Sequence, residues 1–360
     1  MSLEEIGERR VGYFSLMERK EAWFRMVKMD KGVLIVIIVF MAIGIVVASV
    51  VVYNLFLSPG CGPGETVPME GYSVDEWGIF KQRYNSENLT YLTGPRPGEV
   101  VEPDVVEEVE CKPVIYFHGN GYMELSVDID LSALDVVTVP DAEYDGKTLS
   151  WDLEVAGDIY DEGDDAKVVT GPDEAYDYLF YEGRDEYPQN LMANVTRLYR
   201  NLPQADGPAL SLNIRNIGGY GMEDIYVICE LDGGGPKKVL HLSDLGPGED
   251  ISRVEYWGQW TNGSELRGML KADLLERGLT DREAEDLLEY WVDGETDGNG
   301  MKVDKTLLET EGSRNVQILY FISEQEYDQK LPVLFSKAPD SEDRVGLAYV
   351  SGVPFWVQRS

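Results

Sequence analysis

Two patterns of apolar and polar positions divide the chain. From Gly32 to Leu57, GVLIVIIVFMAIGIVVASVVVYNLFL, 26 residues run without a charge, and 18 of them are Val, Ile, Leu or Phe. At about 1.5 Å of rise per residue, a helix of this length crosses a hydrocarbon core of roughly 30 Å with room to tilt. In lipid an isolated strand leaves its backbone N–H and C=O groups unpaired, so the run is expected to be a helix despite its β-branched residues. A cleaved signal peptide is the competing reading, but its apolar region is about 7 to 15 residues long and ends in an A-x-A-like site. This run meets neither condition.

From Lys112 onward the period shortens to two. Pro113 to Phe117 is a compact apolar run, and then Leu125, Val127, Ile129 and Leu131 alternate with Ser126, Asp128 and Asp130. Leu149, Trp151, Leu153 and Val155 repeat the alternation, and Tyr176 to Glu182 adds an aromatic strand. Strands with one wet face at this spacing predict a β-sandwich or half-barrel over 111–205. A second β unit is expected over 206–256. There Leu210, Leu212 and Ile214 alternate, Asn216-Ile217-Gly218-Gly219 turns, Ile225 to Leu231 returns, and Val239 to Leu242 leads into Leu245-Gly246-Pro247-Gly248-Glu249. This segment resembles the small immunoglobulin-like modules of microbial surfaces.

The period then lengthens. Ser264 is a candidate cap for a helix reaching Arg277, stopped by Gly278. Thr280 and Glu283 form a capping box for a second helix, whose Ala284, Leu287, Leu288 and Trp291 share one face. Val316 to Ile322 is expected to be a strand, Ser323 with Glu326 opens a short helix to Lys330, and Val345 to Val350 and Pro354 to Val357 close the chain as strands. These elements give an α+β part over 257–360. Between the apolar run and the first strands, residues 58–110 read as a Gly/Pro-rich stalk and an acidic linker, a loosely ordered collar broken by Pro95, Pro97 and Pro103.

Charge gives the predicted span a direction. Arg19, Lys20, Arg25, Lys28 and Lys31 precede it, and no Lys or Arg follows until Lys81. Basic residues stay on the cytoplasmic side, so residues 1–31 are expected to be a cytoplasmic tail and everything after Leu57 an ectodomain. The whole chain carries −35, and residues 1–31 contribute seven basic and six acidic groups, which leaves −36 for the rest. Nucleic acid and anionic lipid surfaces need basic patches, so neither is expected as a partner of this acidic part. Asn88, Asn194 and Asn262 begin N-x-S/T acceptor motifs on the expected outer side. Of the three cysteines, Cys61 and Cys111 flank the linker and are placed to pair, closing a loop of about 50 residues. Cys229 reads as a buried strand thiol.

A broader resemblance rests on Cys111-Lys112-Pro113-Val114-Ile115-Tyr116, Tyr178-Leu179-Phe180-Tyr181-Glu182-Gly183, Gly278-Leu279-Thr280 with Glu283-Ala284 and Trp291, and Leu319-Tyr320-Phe321 before Glu326-Tyr327. Together these stretches resemble a family of uncharacterised secreted or membrane-anchored microbial proteins. The resemblance implies an outer location and brings no catalytic residue with it. The chain departs from the family pattern at Phe117-His118-Gly119.

Two stretches suggest chemistry. Val114 to Gly121 is a strand ending in His118-Gly119-Asn120-Gly121, the form in which many α/β-hydrolases present an oxyanion-hole loop, and His118 is the one catalytic candidate it offers. No G-x-S-x-G follows, and His241 is the only other histidine, so a structural turn is the simpler reading. Asp293, Glu295, Asp297 and Asp304 stand at positions 1, 3, 5 and 12 of a loop with Gly298 at position 6, a spacing that suits calcium. The sequence therefore predicts a single N-terminal transmembrane helix plus a β-rich ectodomain of β-sandwich and Ig-like units with an α+β C-terminal part. Its expected role is a membrane-anchored binding or structural protein of the cell envelope, with an envelope protein or glycan as neighbour and no required cofactor. An extracytoplasmic hydrolase and a calcium or sugar sensor are the alternatives.

Overall fold

The computed structural model describes residues 67–84, 106–131, 133–157, 165–171, 174–198, 207–231, 237–293 and 316–358. Among them no helix is long and apolar enough to cross a membrane, and the apolar run 32–57 lies outside the described residues. Residues Thr66–Ser360 make one compact unit, and it is β-rich.

Its first strands are β1 (Ser73–Arg83), β2 (Val106–His118), β3 (Gly121–Asp130), β4 (Leu134–Val139), β5 (Glu143–Tyr144), β6 (Thr148–Gly157), β7 (Asp165–Gly171) and β8 (Glu174–Tyr176). Then come β9 (Leu179–Pro188), β10 (Leu191–Leu198), β11 (Ala209–Asn216), β12 (Met222–Cys229), β13 (Lys238–Leu242), β14 (Asp250–Tyr256) and β15 (Thr261–Asn262). Helices α1 (Leu266–Glu276) and α2 (Asp281–Leu288) are followed by β16 (Val316–Ile322), α3 (Glu324–Lys330), β17 (Val333–Phe335), β18 (Ser341–Val353) and β19 (Phe355–Val357).

The larger sheet runs β15-β13-β12-β16-β18-β1-β2-β7-β6-β3-β17, with β9 also paired to β2. A smaller one runs β14-β11-β10-β19. Strand β1 therefore sits near the middle, parallel to β18 and antiparallel to β2. Alternation along β1 sends Trp77 and Ile79 to one face and Val74 and Phe80 to the other, and both faces are buried. The first face is covered by the helical hairpin, whose Leu266, Leu270, Leu274, Ala284, Leu287, Leu288 and Trp291 join it in one apolar cluster. Each such large side chain contributes about 1.5–3 kcal/mol when taken from water. The second face packs against the interior of β3, β6, β10 and β11.

Several expectations meet their elements directly. Strand β3 alternates as its sequence predicts, with Leu125, Val127 and Ile129 buried, and β16 and α3 occupy the expected residues. Other readings change. The collar expected over 69–110 contains β1, a central strand of the larger sheet. Ser264 does not cap α1; it lies in a 3-10 turn, Gly263–Glu265, that leads into the helix. The boundaries expected at 205/206 and 256/257 do not separate the strands, because β10 pairs with β11 and β12 pairs with β16.

Candidate functional site

The strongest concentration of chemistry among the described residues lies where β1 and β2 pass under the start of α2. Ser73 stands opposite His118 in the antiparallel register, so Asp75, two residues on, is the diagonal neighbour of His118 on the same face. That face is the one covered by the hairpin. The third member, Glu283, comes from α2 and is positioned by the capping box that the sequence announces. The Thr280 N–H donates to Glu283 Oε2 at 2.7 Å, and the Glu283 N–H donates to Thr280 Oγ1 at 3.3 Å. With Oε2 used for the cap, Oε1 is left to face the sheet.

There it lies 2.9 Å from His118 Nε2, and Asp75 Oδ2 lies 3.2 Å from the same nitrogen. Asp75, His118 and Glu283 are 6%, 8% and 1% exposed, and one potential ligand atom from each falls within 4.8 Å of the others. The distances suit an ionic contact, but Glu283 Oε1 receives no hydrogen bond of proper alignment although it is fully buried. These three side chains are the described residues best placed to hold a metal.

Burial alone would lower the His118 pKa, but its contacts with Asp75 and Glu283 outweigh that and push it up to about 10. Burial likewise raises Asp75, and the nearby imidazolium only partly offsets this. For Glu283 burial is overcome by His118 and by the Thr280 N–H, so its carboxyl stays below the usual range. The two carboxyl groups thus favour the protonated form of His118, while Glu283 and burial both act to raise Asp75. A general base must be able to accept a proton, and the two carboxyl groups against His118 work against that.

The turn after His118 is closely packed. Strand β2 ends at His118 and β3 begins at Gly121. A Cβ on Gly157 would sit 1.7 Å from the Gly119 carbonyl oxygen, and Gly121, with φ +113°, meets the Val67 carbonyl at 2.8 Å in the same sense. The Tyr122 N–H donates to Val67 O and the Met69 N–H donates to Tyr122 O, both at 2.9 Å, which fixes residues 67–69 beside the turn. A shallow cavity of about 260 Å³, lined by His118, Gly119, Tyr72 and Asp340, opens next to the cluster.

A second buried ionic group lies on the other face of β1. Glu76 Oε2 accepts from Arg344 Nε at 2.6 Å, with the side chains 1% and 4% exposed. Arg344 also donates to Asp328 Oδ1 and to the Leu331 carbonyl, both at 2.7 Å, and its guanidinium lies 4.4 Å from the Tyr327 ring centroid. The Tyr181 hydroxyl donates to Glu76 Oε1 at 2.7 Å.

The remaining sequence candidates lie elsewhere. His241 is on β13, 3.0 Å from Asp224 and stacked on Tyr226. Asp293 ends a π-helical turn that continues α2, while Glu295, Asp297 and Asp304 lie outside the described residues. Cys61 lies outside them too, whereas Cys111 is buried in β2 and Cys229 in β12, where burial pushes its thiol up to about 12. Asn194 is engaged by Asn213 and Asn262 is exposed, while Asn88 lies outside the described residues. Sequence reasoning missed Asp75, hidden in the supposed collar, and read Glu283 as a cap alone.

No family model matches the chain, and no curated protein matches it. Solved structures similar to it include the mu-homology domain of yeast delta-COP-I complexed with a Dsl1 WxWxV peptide, at 8% identity and a TM-score of 0.34, covering 81% of this chain and 100% of that one. The same yeast domain alone gives 7% identity and 0.34, covering 82% and 100%. At this TM-score the likeness carries no argument about function.

Proposed function

We propose that the protein is a single-pass, membrane-anchored binding protein of the cell envelope, with its N-terminus in the cytoplasm and residues 58–360 outside. The observation that carries this reading is the charge-free apolar run Gly32–Leu57, with basic residues crowded on its N-terminal side and −36 on the rest of the chain. The resemblance of the strand motifs to secreted and anchored microbial proteins supports it. Binding is favoured over hydrolysis because His118 is clasped by Asp75 and Glu283 and the sequence carries no G-x-S-x-G nucleophile. The test is crosslinking on intact cells with a membrane-impermeant reagent, followed by mass spectrometry of what is joined to residues 58–360. A dominant stoichiometric envelope neighbour is the expected result. Absence of any labelling would refute the outer location, and self-crosslinks alone would refute the binding role.

A further inference from the structure

We propose that Asp75, His118 and Glu283 form a binding site for one divalent transition-metal ion, with zinc as its representative. The three donors come from three different elements, two strands and a helix, and converge from below and above on one small volume. Glu283 Oε1 is the independent sign of a missing ligand: it is buried and directed at the other two donors, yet has no aligned hydrogen bond. Charge points the same way. Two buried carboxyl groups and an imidazole make a donor set whose charge a divalent ion matches. A buried charge without a full complement of partners is costly.

The donor set selects the ion class. Calcium and magnesium take oxygen ligands, and calcium takes six to eight of them, whereas an imidazole with carboxylates suits zinc, iron or manganese. At bond lengths of about 2.0–2.2 Å, tetrahedral ligand atoms lie about 3.4 Å apart. The present separations of 2.9 and 3.2 Å need to open only by a few tenths of an ångström. The Thr280 N–H bond to Glu283 Oε2 supplies the outer support that orients a ligating carboxylate.

The test uses the full-length protein in detergent, stripped with chelator and dialysed. Zinc chloride is then added, and bound metal is measured after gel filtration together with the melting temperature. One zinc per chain and a raised melting temperature are expected. Asp75→Asn and Glu283→Gln, the latter keeping an oxygen for the cap, each remove a ligating carboxylate and should weaken binding by more than about 100-fold, beyond what loss of an outer partner costs. Asp297→Asn, in the separate calcium-type loop, should leave zinc binding unchanged. No stoichiometric zinc on the folded wild type overturns the proposal. Binding that survives both the Asp75 and the Glu283 changes overturns it as well, and because the wild-type result alone is decisive, a variant that fails to fold does not rescue it.

Discussion

Asp75 and Glu76 are consecutive residues of one strand, both buried, and they illustrate two different ways of keeping a carboxyl group inside a protein. Glu76 meets Arg344 at 2.6 Å and a Tyr181 hydroxyl at 2.7 Å, and Arg344 places its other N–H groups on Asp328 and the Leu331 carbonyl. Asp75 faces the helix layer instead, where it shares one imidazole with Glu283. Strand alternation is what separates them, since neighbouring side chains point to opposite faces. In the first group the buried carboxylate oxygens are hydrogen-bonded: Glu76 accepts from Arg344 and Tyr181, and the other carboxylates near Arg344, Asp328 and Glu342 at 3.4 Å, reach solvent. The second has two carboxyl groups turned to one imidazole and a buried oxygen without an aligned donor. Burial is common to both, so the satisfaction of partners, and not depth, distinguishes a structural pin from a site able to accept an ion.

The harshest way to break the contrast is to remove Arg344. Arg344→Met leaves Glu76 charged, 1% exposed and without its cation, and losing one partner of a buried pair costs about 3–5 kcal/mol. Urea unfolding at neutral pH measures it. The double variant Glu76→Leu with Arg344→Met should recover most of that loss, because replacing both partners by apolar groups of similar size is often neutral. A loss below about 1 kcal/mol for Arg344→Met alone would mean that the pair is no pin, being then worth no more than an exposed one.

A gentler comparison changes the two neighbours isosterically, in chelator. Glu76→Gln takes the charge opposite Arg344 and should cost about 2–3 kcal/mol, the range for a hydrogen bond to a charged group plus part of the unpaired guanidinium. Asp75→Asn loses attraction to the His118 cation but also relieves repulsion from Glu283, two effects of opposite sign. Its net change should stay within about 1 kcal/mol. Equal losses at the two positions would show that the Asp75 group is as fully satisfied as the other, and would weaken the case for a missing ligand.

What the sequence makes legible follows from range. Alternation in β3 and β6, the helix face made of Ala284, Leu287, Leu288 and Trp291, and the Thr280–Glu283 box are local patterns, and each is present in the structure. Strand β1 was illegible for a physical reason. Both its faces are buried, so Val74 and Phe80 alternate with Trp77 and Ile79 instead of with polar residues, and Asp75 and Glu76 imitate a solvated turn. Its parallel pairing with β18 joins residues more than 260 apart, which no local period encodes. Half the role of Glu283 was readable, since Oε2 belongs to the cap. The other half belongs to Oε1 and required knowing that β1 and β2 lie beneath it.

The smallest expected effect tests that division of labour within one side chain. Thr280→Ala removes the hydroxyl that accepts from the Glu283 N–H, and loss of such a cap costs about 1 kcal/mol. Thr280→Ser keeps the oxygen and should cost only a few tenths of that. The Thr280 cap and the Arg344 group lie on opposite sides of β1 and share no partner, so Thr280→Ala and Arg344→Met should add within about 0.5 kcal/mol. The same mutation keeps the Thr280 backbone N–H that donates to Glu283 Oε2, so it acts on the carboxylate only through the start of the helix. It should therefore weaken zinc binding by roughly tenfold without changing the stoichiometry, as expected when an outer support is lost and the ligand remains. If Thr280→Ala lowers stability as predicted and leaves zinc affinity untouched, the hydroxyl half of the capping box has no part in shaping the site, and the Thr280 N–H with the packing around α2 suffices to hold Glu283 over the sheet.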